Sequence, residues 1–222
     1  MGLRMLGDSY QVVDVLMLVG NVAPIAIYFL ILGLVNSHSR PWIVTSRSDF
    51  LALTSVLIPV LLWPVPDFVR WQLYVPLGAG LLVAARAFWY MLPGVNAGFV
   101  VYNVAEPRCV KLLTTALGQL GLRGHWDGRV WHSDTGRLSI EVRKFSLLRN
   151  VTLHFDAHDE TARDLIPLIG HTLHARLQTV AQLPSHMGAG LVLLGLGLMI
   201  LPMWMVGRHI HDLVDAVSYL LG

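Results

Sequence analysis

The sequence predicts an integral membrane α-helical protein with four transmembrane helices and a small α+β domain inserted between the third and the fourth. Of its 222 residues, 55% are hydrophobic and 14% are charged, whereas a soluble domain averages roughly 25% charged residues. Four apolar runs approach the length that crosses a bilayer, and one long stretch, residues 95–182, mixes polar and apolar residues as a soluble domain does. Residues 1–94 are therefore predicted to form a membrane region that precedes this domain.

The first apolar run, about 12–35, is predicted to be an uncleaved membrane anchor. It is long enough to cross the hydrocarbon core, which needs about 20 residues. A secretory signal peptide is the alternative, but its apolar core spans only about 7–15 residues and ends in a small-residue cleavage site. The run is longer than that and has no such site.

The second and third runs, about 50–66 and 71–92, are predicted to form a helical hairpin that follows a polar loop at 36–49. Aromatic residues cluster at both ends of this hairpin, as they do at the two interfaces of a bilayer. Arg86 lies inside the third run, and an intramembrane arginine raises the hypothesis of an ion or proton path. It is about 9 Å from the helix end at 1.5 Å per residue, so a side chain that snorkels to the headgroups is the favoured interpretation.

The fourth run, about 187–206, begins the C-terminal region 183–222. Its glycines are suited to close helix packing or to a dimer interface; they are Gly188, Gly190, Gly195 and Gly197. The short tail, 207–222, has apolar residues at helical spacing. It is predicted either to lie on the membrane as an amphipathic helix or to extend the fourth run.

The inserted segment 95–182 has the order strand, helix, three or four strands, helix. A strand is predicted at 98–104 and a helix from Pro107 to about residue 120, because proline suits the first helical turn. Asp127-Gly128 and Asp134-Thr135-Gly136 are turn signals between apolar runs. Residues 137–145 and 151–155 alternate between apolar and polar side chains, and a long helix starts at about residue 159. These elements predict an antiparallel sheet with two helices on one face.

Histidines are the strongest candidates for a metal site. His171 and His174 are three residues apart on the last predicted helix of the domain, so they could share a zinc ion. The HExxH pattern is absent, and neither residue has a carboxylate at a recognised ligand spacing. Solvated histidines without a cofactor are therefore the favoured interpretation, and zinc is the alternative.

Three basic residues, Arg143, Lys144 and Arg149, surround the apolar stretch 145–148. Basic residues around exposed apolar ones are suited to contact with anionic lipid headgroups. An ordinary loop whose leucines pack into the core is an equally supported interpretation.

The remaining motifs do not predict catalysis. Asp134-Thr135-Gly136 matches the three-residue signature of aspartic proteases, but those enzymes need two carboxylates that share a proton, and the sequence has one copy at a turn. The lone cysteine, Cys109, lies near a helix start, where a thiol pKa can be lowered, but no base partner is identifiable. A Gly-rich phosphate loop, a nucleophile elbow and a CxxC pair are absent from the sequence.

Charge predicts both the orientation and the class of partner. A net charge of +2 argues against nucleic-acid binding, which normally uses a strongly basic domain. Four spans would place the domain on the same side as the loop at 36–49, and that side has more basic residues near the span ends. The positive-inside rule therefore predicts a multi-pass cell-membrane protein with a cytoplasmic domain.

The sequence thus favours a non-catalytic membrane protein whose domain binds a partner protein, as a subunit or scaffold of a larger membrane assembly. The expected partners are the lipid bilayer and either another membrane protein or further copies of this chain. A membrane-bound enzyme or metal-binding protein that uses the histidine-rich face is the alternative. A transporter is a third class, disfavoured because four spans contain one embedded charge near an end.

Overall fold

The computed structural model describes residues 2–63, 65–145, 150–180, 186–211, 214–215 and 218, with only the backbone described for 2–14. In chain order the helices and strands are α1 Gly2–Ser37, β1 Trp42–Thr45, α2 Ser46–Leu62, α3 Val65–Arg70, α4 Tyr74–Met91, β2 Gly98–Tyr102, α5 Glu106–Gln119, β3 Gly124–Asp127, β4 Val130–Ser133, β5 Leu138–Phe145, β6 Asn150–Ala157, α6 Glu160–Gln178 and α7 His186–Arg208.

Within the described residues, three helical segments are long and apolar enough to cross a membrane: Val15–Ser37, Ser46–Arg70 and His186–Arg208. They correspond to the first, second and fourth predicted spans. The third predicted span coincides with α4, which is 18 residues long and therefore shorter than these segments of 23, 25 and 23 residues. Three described segments thus have the length and composition of membrane helices, and a fourth is not confirmed.

Helices α1 and α7 pack closely because small residues lie at their contact. A Cβ atom added to Gly188 would lie 2.5 Å from Ser37 Oγ, and one added to Gly195 would lie 2.7 Å from Leu30 Cγ. The other two glycines predicted to support close packing, Gly190 and Gly197, have no heavy atom within 4 Å of an added Cβ. Of the four glycines predicted to support packing, two make this contact and two face away from it.

The sheet has six strands in the order β1-β2-β6-β5-β4-β3, and every described pair is antiparallel. The antiparallel sheet predicted for the inserted domain is confirmed, with four strands after α5. The prediction of a loop throughout 36–49 is wrong, because residues 42–45 form β1 and pair with β2, with Val44 opposite Val100. A strand of four residues is too short to show alternation clearly, and its partner is remote in sequence.

Helices α5 and α6 cover one face of the sheet and bury a continuous apolar core with it. Gly170 brings α6 close to the sheet, since a Cβ there would lie 2.4 Å from the Phe99 ring. The helix begins where predicted: the Asp159 side chain accepts a hydrogen bond from Ala162 N at 2.7 Å, the usual N-cap interaction. Pro167 lies inside α6, so this proline does not delay the start of the helix.

The two predicted turn signals both join strands. Gly128, with φ 57°, lies between β3 and β4, and Gly136, with φ 67°, lies between β4 and β5. These positive φ values are accessible to glycine without strain. Leu138, Ile140 and Val142 then alternate into the core along β5, as their spacing predicts.

We expect Gly195→Ala to lower the melting temperature in detergent and Gly197→Ala to leave it nearly unchanged. The added methyl group at position 195 meets Leu30 and the Ala26 carbonyl oxygen at 2.9 Å, and overpacking of this kind costs about 1–3 kcal/mol. The control adds the same methyl group to the same helix where space is open. Equal melting temperatures for the two variants would contradict the described α1–α7 contact.

Candidate functional site

The second face of strand β2 attaches the sheet to the membrane helices. Val100 and Tyr102 point away from the α5–α6 core and form a second apolar cluster with Leu32 of α1. Tyr28, Val35, Val44 and Leu191 pack around this cluster. Strand β2 is buried along its whole length, because one face belongs to the domain core and the other to α1.

A buried asparagine connects the end of this strand with the end of α1. Asn103 is fully buried and has φ 55°, a left-handed conformation that asparagine adopts more readily than most residues. Its Nδ2 donates a hydrogen bond to the His38 carbonyl oxygen at 2.7 Å. The segment that leaves α1 is thereby held beside the segment that leaves β2.

A tyrosine and an aspartate meet at the same junction. The Tyr102 hydroxyl donates a hydrogen bond to Asp49 Oδ1, across the boundary between the sheet and the first turn of α2. Burial, together with the hydrogen bond to Asp49 and the charge of Asp49, raises the pKa of Tyr102 above its ordinary value. The tyrosine therefore stays protonated at neutral pH and remains a donor to the carboxylate.

This pair lies at the polar end of a cleft bounded by α1, α2 and strands β1–β2. The cleft has a volume of about 580 Å³, within the range of about 300–1,000 Å³ usual for small-molecule sites. Apolar side chains such as Ile27 and Ile31 of α1 and Val56 of α2 form its walls. Its described lining contains no lysine or arginine. A carboxylate and hydroxyl groups at one end of an apolar cleft are suited to binding a hydrogen-bond donor that carries an apolar chain.

The two histidines predicted as metal ligands, His171 and His174, are both exposed on α6. The described residues contain no group of three or more His, Cys, Asp or Glu side chains that could hold a metal ion. A zinc site at this pair would need further ligands from outside the described residues or from another molecule. The zinc hypothesis stays a prediction in that narrower form.

Other histidines gather on the polar face of the sheet. His125 and His132 lie opposite each other on β3 and β4, with ring centroids 5.9 Å apart. His154 on β6 is exposed and lies opposite Glu141 of β5. The histidine-rich face is therefore on the strands, away from His171 and His174 on the helix side.

The predicted membrane-surface residues are only partly described. Arg143 donates two hydrogen bonds of 2.8 Å to the Glu141 carboxylate, and these hold the pKa of Glu141 below its ordinary value. Lys144 and Phe145 are exposed at the end of β5. Arg149 and the stretch 146–148 lie outside the described residues. Lipid contact at this loop stays a prediction. The Arg143 side chain is already paired with Glu141, so a lipid head group would compete with that carboxylate.

The arginine inside the third predicted span, Arg86, is exposed on α4 and lies over the Tyr90 ring, with its Cζ 5.3 Å from the centroid. A cation–π contact of this kind lowers the cost of holding the guanidinium near an apolar phase. Tyr90 is one turn nearer to the end of the helix, in the direction in which a snorkelling side chain extends.

Sequence reasoning missed the cleft and its polar residues Asp49 and Tyr102. Asp49 has a sequence signal, a charge directly before an apolar run. Tyr102 has none beyond its place in an apolar strand, and its partner is 53 residues away in the chain.

No protein-family model, no curated protein and no solved structure matches this chain.

We expect Cys109 to resist maleimide at neutral pH in the folded protein and to react after unfolding in detergent. The side chain is fully buried, and burial, together with the charge of Glu106, raises the pKa of the thiol to about 12. The thiolate that reacts is therefore scarce. Mass spectrometry before and after unfolding measures the modification, and fast labelling of the folded protein would refute the described burial.

Proposed function

We propose that the protein is a non-catalytic integral membrane protein whose membrane-proximal α+β domain binds a partner protein, as a subunit or scaffold of a larger membrane assembly. The observation that carries this proposal is the second face of the sheet. Helix α1 packs on that face at β2, whereas the side chains of β5 and β6 on the same face are partly or fully exposed. They are Ser139, Glu141, Arg143, Thr152, His154 and Asp156.

This face has the chemistry of a protein-binding surface. It combines both signs of charge with hydroxyl groups and histidines, and protein interfaces contain about one hydrogen bond per 100–200 Å² of buried area. Strand β3 adds a described edge of the sheet, with Gly124 and His125 exposed. An exposed strand edge offers unpaired backbone groups to a partner.

The attachment of the domain supports binding close to the bilayer. Strand β2 packs directly on α1, and α6 ends only a few residues before α7 begins. A domain that packs on one such helix and is joined to another by a short link loses little conformational freedom when it binds a membrane partner, which lowers the entropic cost of association.

The proposal includes four membrane spans, and the pairing of β1 with β2 supports that number. These strands are hydrogen-bonded to each other, so the chain before α2 and the chain after α4 lie on the same side of a membrane. The segment between them must then cross an even number of times. If Ser46–Arg70 crosses once, α4 crosses back. None of the residues of α4 is buried, which suits a lipid-facing helix.

We propose further that the protein lies in the cell membrane with the domain on the cytoplasmic side. The support is the positive-inside rule, since Arg40, Arg47, Arg108 and Lys111 all lie on the domain side of the four-span arrangement. Both termini are then outside.

We expect a membrane-impermeant maleimide to label Asp67→Cys in intact cells and to label Thr115→Cys only after the membrane is opened. Both positions are exposed, and the four-span arrangement places them on opposite sides. The native Cys109 gives the background, which its burial keeps low. Labelling of Thr115→Cys in intact cells would overturn the orientation.

We expect the tagged protein to retain a stoichiometric membrane partner in gentle detergent, and His154→Arg to reduce its recovery by at least about tenfold. The larger arginine side chain would disturb the shape complementarity of a fitted interface, and a tenfold loss corresponds to about 1.4 kcal/mol. Position 154 tolerates the change in the folded chain, because Glu141 lies opposite.

The matched control is His174→Arg, which makes the same change at an exposed position on α6. Equal partner recovery for the two variants would show that the partner does not bind to this face of the sheet. Recovery of the protein alone, or only with copies of itself, would contradict the proposal that it binds a different protein. The next measurement would then be the zinc content before and after changing His171 and His174 to alanine, the test of the histidine alternative.

A further inference from the structure

We propose that the cleft bounded by α1, α2 and strands β1–β2 binds a membrane lipid whose head group carries a primary ammonium. The ammonium lies at Asp49, and one hydrocarbon chain lies between α1 and α2. This site is separate from the sheet face proposed to bind a protein, and neither proposal depends on the other.

The shape of the cleft fits a chain that enters from the membrane. Its wall on α1 extends from Pro24 to Val35, about 16 Å at 1.5 Å per residue. Both bounding helical segments, Val15–Ser37 and Ser46–Arg70, are candidate membrane spans. An apolar groove between two such helices is open to lipid chains, and its volume of about 580 Å³ accommodates a chain together with part of a head group.

Asp49, the one charged residue of the described lining, lies at the end of the cleft near the sheet, whereas the hydroxyl groups of Tyr28 and Ser55 lie further along α1 and α2. Ser48 and Asp49 lie in the first turn of α2, and Tyr102 lies at the end of β2. Ile27 of α1 and Val56 of α2 lie further from the sheet along their helices. The polar end is therefore beside the domain and the apolar end is deeper among the membrane helices, which is the polarity of a lipid in a bilayer.

The charge of the polar end selects the head group. Asp49 is half-buried, and no described cationic side chain lies within ion-pair distance of it. A partly buried carboxylate without a countercharge is destabilising, and a cation at the site relieves that cost. Since the described lining contains no lysine or arginine, an anionic head group would meet the charge of Asp49 without a countercharge.

Hydrogen bonding narrows the cation to a primary ammonium. One oxygen of Asp49 accepts the hydrogen bond from Tyr102, and the carboxylate retains further acceptor sites. A primary ammonium brings N–H donors to those sites, as the lysine side chain does. A trimethylated ammonium has the same charge and no N–H donor, so phosphatidylethanolamine should bind better than phosphatidylcholine.

The experiment reconstitutes the full-length protein in vesicles of equal parts phosphatidylethanolamine, phosphatidylcholine and phosphatidylglycerol with matched chains. Native mass spectrometry then counts the lipids that remain bound after extraction. We expect the wild type to retain phosphatidylethanolamine at least about tenfold over either competitor, the size of one charge-assisted hydrogen bond in a partly dry site. Asp49→Asn should abolish this preference.

Asp67→Asn is the matched control, since it makes the same change at an exposed aspartate that does not line the cleft, and it should keep the preference. Ala52→Trp fills the cleft from α2 while keeping both Asp49 and Tyr102 in the sequence, and it should lower the retention of every lipid at the site.

Equal retention of the three lipids by the wild type would overturn the proposal, and this result does not depend on the folding of any variant. An unchanged preference in Asp49→Asn would contradict the contact between the ammonium and Asp49. Unchanged lipid retention in Ala52→Trp would contradict the placement of the hydrocarbon chain in the cleft. Loss of the protein partner with unchanged lipid preference would affect only the proposed function.

Discussion

The packing of strand β2 against helix α1 is the contact on which the rest of the structure depends. Alternate residues of this strand belong to two different apolar clusters: Phe99 and Val101 to the domain core, Val100 and Tyr102 to the cluster on α1. Each fully buried side chain of this size contributes roughly 1.5–3 kcal/mol. The same few residues therefore stabilise the domain and fix its position against the membrane helices, and they also carry the tyrosine of the cleft.

Much of the fold was predictable because its signals are local. The alternation along β5, the glycines at 128 and 136 and the N-cap at Asp159 each act within a few residues, and each predicted element is present. Length and composition likewise identified three membrane-helix candidates. The exceptions are β1 and α4. The first is four residues long and exists through its pairing with a strand more than 50 residues away. The second is shorter than the three candidate segments, and Arg86 reduces its apolar character.

The candidate site was far less predictable because it is assembled from remote parts of the chain. Asp49 and Tyr102 lie on different elements, and two helices, α3 and α4, separate α2 from β2 in sequence. Histidines attract attention in a sequence because their chemistry is versatile, but the pair at 171 and 174 is exposed on a helix without a third ligand among the described residues. The candidate site is instead formed by Asp49 and Tyr102, which are hydrogen-bonded to each other in the lining of an apolar cleft. Neither residue belongs to a recognisable sequence motif.

The sheet of the domain is discontinuous in sequence, because its edge strand β1 precedes the helices α2 to α4 and its other strands follow them. One edge strand is made before α2, and the other five are made after α4, so the sheet is completed only after the hairpin between them has been synthesised. A fragment cut at the apparent domain boundary would lack β1 and would leave β2 as an unprotected, strongly apolar edge. Exposed edges of this kind pair with other chains and aggregate. The membrane region thus supplies the strand that closes this edge, and the domain is a soluble unit only in appearance.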